Sequence, residues 1–126
     1  MKRLLIASAL LISLLVGTVV NAQVLGALTG ELTDLLGQAQ LCTRQSRWDD
    51  ALDRTQTALR IWNRNSFYLH VVTRHGDADQ IQQGLATAVQ LLERHSGAEY
   101  AHVNTELRVQ LELLAEMEQP TLSNIL

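Results

Sequence analysis

One proline, one cysteine, one lysine and five aromatic side chains are spread over 126 residues. Each scarcity excludes something. The lone proline is Pro120, and no Gly-rich or Pro-rich run interrupts the chain, so nothing suggests a linker and the length is that of one domain. A single cysteine, Cys42, rules out an internal disulfide and is expected to act as a small apolar helix residue. Past Lys2 and Arg3, eight arginines face thirteen carboxylates, so the body carries −5 against −3 for the whole chain. A mildly acidic body offers no electrostatic ground for binding nucleic acid and is repelled by anionic lipid. Strand signals are missing as well: past residue 24, β-branched residues nowhere alternate with polar ones over five positions.

What the chain has is apolar residues, 47% of the total, in two distinct patterns. The first is a dense block. Residues 4–30 carry no charge, and residues 4–20 are nearly all apolar or small, directly behind Lys2 and Arg3. Such a block is an export signal: the cations hold the N-terminus in the cytoplasm while the apolar stretch enters the bilayer. The uncharged stretch reaches the ~20 residues that cross about 30 Å of hydrocarbon. It runs into "VLGALTGELTDLL" without the usual polar cleavage region. An anchor is therefore expected ahead of cleavage, although Val20 and Ala22 would permit cleavage after Ala22 and hence secretion. Residues 1–23 are assigned to a signal anchor or signal peptide and residues 24–126 to an extracytoplasmic helical bundle domain. The expected location is the cell membrane, single-pass, with the C-terminal domain outside.

The second pattern is helical. Val24, Leu25, Leu28, Leu32, Leu35, Leu36 and Ala39 form one stripe that follows on from the apolar block, which would make the two a single stalk. Ser46 is placed to cap the next helix, with Asp49 three residues on. Its stripe is Trp48, Ala51, Leu52, Thr55, Leu59 and Trp62. The two tryptophans are fourteen positions apart, which returns them to within about 40° of one another. They are also about 21 Å apart along the axis, too far for one small ligand to touch both, and packing is the expected role.

Asn65 is placed to cap a third helix. The stripe Val71, Val72, His75, Ala78, Ile81, Leu85, Val89 and Leu92 keeps phase across Gly76, which predicts one long helix bent there rather than broken. Gly97 suits a left-handed helix end. The last helix carries Tyr100, Val103, Leu107, Leu111 and Leu114. The fold class is all-α, an N-terminal membrane or signal helix followed by an antiparallel bundle of three to four helices. Trp48, Trp62, Ile81, Leu85, Leu107 and Leu111 are the expected core.

Chemistry is thinly represented. His70 and His75 are five apart, pointing about 140° from one another, and His95 and His102 fall on separate helices. No HExxH motif or cysteine pair accompanies them, so neither metal nor cofactor is expected. Asp49, Asp50 and Asp53 cluster without a nucleophile or base, and there is no GxGxxG, P-loop or GxSxG motif. The chain is not expected to be an enzyme. His75 stands out by lying on an apolar stripe beside the bend, either as a core histidine or as a proton-sensitive or partner-contacting one.

Several residues in order resemble a known pattern: W-x-x-A-L at Trp48, Ala51 and Leu52, then Trp62, then His75 ahead of Asp79 and Ile81. A leucine-rich final helix and the ending "LSNIL" (Ser123, Asn124, Ile125, Leu126) complete it. The chain resembles, over nearly its whole length, the family called domain of unknown function 4363, small anchored helical proteins of Gram-positive bacteria. The resemblance implies that architecture, with the tryptophans as fixed structural positions, and implies no activity, cofactor or catalytic residue. The expected function is a non-catalytic interaction or accessory module, tethered by its N-terminal helix, for a membrane protein partner or a second copy of itself. His75, Asp79, Asn124, Ile125 and Leu126 are the candidate contact residues. The alternatives are a ligand- or pH-responsive sensor centred near His75, or a secreted helical protein.

Overall fold

The computed structural model describes residues 1–118, without the side chains of His75, Met117 and Glu118. Five helices follow in order: α1 (Lys2–Arg44), α2 (Trp48–Arg64), α3 (Ser66–Val72), α4 (His75–Glu93) and α5 (Gly97–Glu118). No strand occurs among the described residues. The 43 residues of α1 run unbroken for about 65 Å at 1.5 Å per residue. Residues 1–20 are exposed throughout, and burial begins only from Asn21 onward. The apolar block and the first amphipathic stripe are thus one continuous helix.

From Asn21 onward, α1 packs beside α2 and α5, and α4 packs beside the same two. Successive long helices reverse direction, so every neighbour is antiparallel. The result is an up-down-up-down four-helix bundle. Its head holds the α1–α2 and α4–α5 turns. Its foot holds α3, which carries the chain from the end of α2 to the start of α4.

The fully buried positions explain the arrangement. They step by four and three: Leu25, Thr29, Leu32, Leu36 and Ala39 on α1, and Ala51, Thr55, Ala58 and Trp62 on α2. The same rhythm holds for Ala78, Ile81, Leu85, Ala88 and Leu92 on α4 and for Tyr100, Asn104, Leu107, Leu111 and Leu114 on α5. This is the seam of helices packing knobs into holes at a shallow crossing angle. Alanines on α2 and α4 leave room for leucines on α1 and α5. At Gly84 the approach is close: a methyl group there would lie 2.6 Å from Leu107 Cδ2. Trp48 is partly buried against this core, whereas Trp62 is fully buried.

One layer of the core is polar. Asn104 Nδ2 donates to the Leu36 carbonyl at 2.9 Å and to Tyr100 Oη at 3.0 Å, and Tyr100 Oη and Thr55 Oγ1 are 2.8 Å apart. Burial pushes the Tyr100 phenol above its ordinary range, opposed by its bonds to Thr55 and Asn104 and by the nearby Arg108 charge.

Four local expectations are corrected. The third helix is broken, not bent: Thr73 and Arg74 are extended, with ψ 168° and 135°. The break precedes Gly76 because Val71, Val72 and Thr73 are three β-branched residues in succession, which resist helix. Thr73 Oγ1 and the Thr73 amide both bond the Leu69 carbonyl, ending α3 there. Stripe phase is therefore not carried across, and Val71 is 68% exposed.

Ser46 caps nothing at its own helix start. It takes φ 58° as the left-handed residue ending α1, with Ser46 N bonded to Thr43 O and Arg47 N to Cys42 O. That is a Schellman closure with serine where glycine is usual. The α4–α5 turn repeats it: His95 has φ 55°, His95 N bonds Leu92 O and Ser96 N bonds Leu91 O. Gly97 instead opens α5, and a methyl group on it would meet Trp48 Cη2 at 3.2 Å. Asn65 gives α3 no side-chain cap; its Nδ2 donates back to the Ile61 carbonyl at 2.8 Å.

Candidate functional site at the foot of the bundle

Two features meet at the foot. The first is the exposed part of α1, long and apolar enough to cross a membrane and covered by nothing in the bundle. The second is α3 with the start of α4. Tyr68 of α3 joins them, donating to the Asn21 side-chain Oδ1 and lying 3.3 Å from the Asn21 carbonyl. Asn21 immediately follows the unbroken exposed stretch of residues 1–20.

One titratable group at this end is His70, on α3. Its Nδ1 is 2.7 Å from the Ser66 carbonyl and its Nε2 is 3.3 Å from Asp79 Oδ1 on α4. A neutral ring satisfies only one of these acceptors with an N–H, whereas the imidazolium satisfies both. The Ser66 bond first and the Asp79 bond second therefore raise the His70 pKa, against partial desolvation. Both side chains remain partly in solvent, 30% and 47% exposed.

The sequence-derived candidates are distributed as follows. Asp79 lies at the foot, joined to His70. His75 opens α4 four residues before it, with a side chain outside those described. Asn124, Ile125 and Leu126 lie outside the described residues. Ile81, Leu85, Leu107 and Leu111 are buried in the core with Trp62. The remaining histidines have separate partners: His95 stacks on Trp48 at the head, and His102 pairs with Glu106 on the surface of α5 at 3.0 Å. Among the described residues no group of three or more His, Cys, Asp or Glu side chains is placed to hold a metal ion. An open groove of about 220 Å³ between α4 and α5 is lined by Asp77, Gln80, Ile81, Gln110, Leu113 and Leu114.

Neither the His70–Asp79 pair nor the Tyr68–Asn21 bond is legible in the sequence. His70 and Asp79 are nine residues apart, which on a continuous helix places them about 180° apart. Only the break at Thr73 and Arg74 folds α3 back so that they meet. The signal that would have exposed it is the Val71-Val72-Thr73 run.

Comparison with curated proteins and with solved structures yields no match. The sequence does match a family, Domain of unknown function (DUF4363), over residues 19–125. The match begins two residues before Asn21, so it takes in the bundle and leaves out most of the exposed apolar segment. With the greater part of its length matched, the chain belongs to the domain of unknown function family DUF4363.

Proposed function

We propose that this chain is a membrane-anchored, non-catalytic module whose bundle is held outside the cytoplasm to serve a membrane protein partner. The observation that carries this is the exposure of every residue from 1 to 20 in a helix continuous with the bundle. Leaving so many leucines, isoleucines and valines in water is unfavourable by about 25 cal/mol per Å², and a bilayer removes that cost. Lys2 and Arg3 at its start favour the orientation with the bundle outside.

Cross-linking in the native membrane, followed by purification in mild detergent, tests the role. A specific co-purifying membrane protein is expected. Recovery of free monomer alone overturns the accessory role, and recovery of a homodimer transfers it to self-association. A reporter active only in the cytoplasm, fused after residue 126, is expected to be silent; activity overturns the topology. The mass of the mature protein, retaining residues 1–22, separates anchor from secreted form.

A second reading, proton sensing at the foot near His75, is favoured by the His70–Asp79 pair across the α3–α4 break. Thermal melts over pH for the wild type, His75→Ala and His70→Gln test it. Three identical pH profiles remove it.

A further inference from the structure

We propose that α3 is a lipid-contacting foot, whose Phe67 and Val71 side chains rest in the interfacial layer of the bilayer that holds the N-terminal helix. This rests on the anchoring proposed above and adds a second membrane contact to it. Phe67 is 84% exposed and Val71 68%, while Leu69 between them is fully buried. At about 100° per residue, positions 67 and 71 each lie about 160° from position 69, on either side of the opposite face. Leu69 points into the core, so Phe67 and Val71 together point away from it. A buried leucine flanked by two outward apolar residues at i and i+4 marks a helix with two apolar contacts, one of which the bundle does not supply.

What supplies the other is given by position. Tyr68, between Phe67 and Leu69, is bonded to Asn21, where α1 leaves the bundle and its uncovered apolar stretch begins. Anything receiving residues 2–20 as a hydrocarbon span has its surface at the level of Asn21, and α3 is held at that level. Tyrosine with its hydroxyl at the polar boundary and an apolar neighbour beyond is the residue pattern of a membrane interface. Charge does not select the lipid. Arg64 and Arg74 flank α3, but Asp77, Asp79 and Glu116 occupy the same end, so the contact is apolar and neutral phosphatidylcholine suffices.

The test uses the full chain in phosphatidylcholine vesicles, with single cysteines carrying an environment-sensitive fluorophore at positions 11, 49, 67 and 71 in a Cys42→Ala background. Should that background not fold, the same labels are placed with Cys42 retained, since it is only 5% exposed. Lipids brominated along the chain and near the headgroup serve as quenchers. The expected result is a blue shift and quenching at 11, 67 and 71, with headgroup-proximal bromine more effective at 67 and 71, and neither effect at 49. Quenching at 11 with positions 67 and 71 indistinguishable from 49 overturns the foot contact and leaves the anchor standing. Label-to-label self-quenching at 67 without lipid quenching also overturns it, assigning the face to a second copy. Absence of quenching at 11 overturns the anchor and the foot contact together.

Discussion

The indole of Trp48 lies flat on the imidazole of His95, with ring centroids 4.7 Å apart and planes within 4° of parallel. The two rings join the turns at the head of the bundle. Trp48 opens α2 just after the left-handed Ser46, while His95 is itself the left-handed residue ending α4. A side chain in that conformation costs about 1–2 kcal/mol relative to glycine. An offset aromatic contact returns about 0.5–1.5 kcal/mol, which accounts for a histidine where glycine is usual.

His95→Ala keeps the strained backbone and loses the stack, so it should destabilise by about 1 kcal/mol. His95→Gly loses the stack and the strain together and should be within about 0.5 kcal/mol of wild type. Ser46→Gly relieves strain with no stack to lose and should stabilise by about 1 kcal/mol. Urea unfolding in detergent measures all three. Equal destabilisation by Ala and Gly at position 95 would show that the left-handed backbone plays no part.

Two glycines should respond oppositely to the same substitution. Gly30, on the exposed side of α1, has nothing within 4 Å of an added methyl, so Gly30→Ala should stabilise by up to about 1 kcal/mol through helix propensity. Gly84 faces Leu107, which is buried and cannot swing into solvent. Gly84→Ala should therefore lower stability by about 1–2 kcal/mol, the overpacking term exceeding propensity. Pairing it with Leu107→Ala should give a double mutant more stable than the sum of the two single changes predicts. Strict additivity would refute the contact.

The polar layer in the core is expected to be worth more to the fold than its size suggests. Tyr100→Phe removes one hydroxyl and deprives both Thr55 and Asn104 of a buried partner, at a cost of about 1–3 kcal/mol. Adding Thr55→Val removes one of the stranded groups and should recover part of that loss. A denaturation midpoint unchanged in Tyr100→Phe would mean the layer contributes nothing net.

At the foot, stability should depend on pH through His70. Its folded pKa is raised above the ordinary value near 6.5, so its contribution is complete below that value and is lost as pH rises through the higher folded one. The Tm gap between wild type and His70→Gln should therefore be wider at pH 6 than at pH 8.5. Asp79→Asn should behave in the same way. A gap that stays constant, or widens with pH, contradicts the pairing.

Much of this architecture follows from hydrophobic periodicity, which acts over one or two helical turns and is visible in a single chain. The uncharged block behind Lys2 and Arg3, the stripes on α1 and α2, and Leu107, Leu111 and Leu114 on α5 are legible for that reason. Asn104 was not: as a polar residue in a leucine stripe it looks like surface, and its place in the seam depends on the Leu36 carbonyl from another helix. The end of α3 depended on competition between a stripe that favoured continuity and three β-branched residues that opposed it. That competition turns on packing, because a continuous helix would leave Leu69 without the core it fills and His70 on the far side from Asp79. Side chains brought together from separate elements, Trp48 with His95, Tyr68 with Asn21 and His70 with Asp79, carry no periodic signature. Their proximity arises only when water drives the four long helices into one bundle and thereby sets where the turns between them must lie.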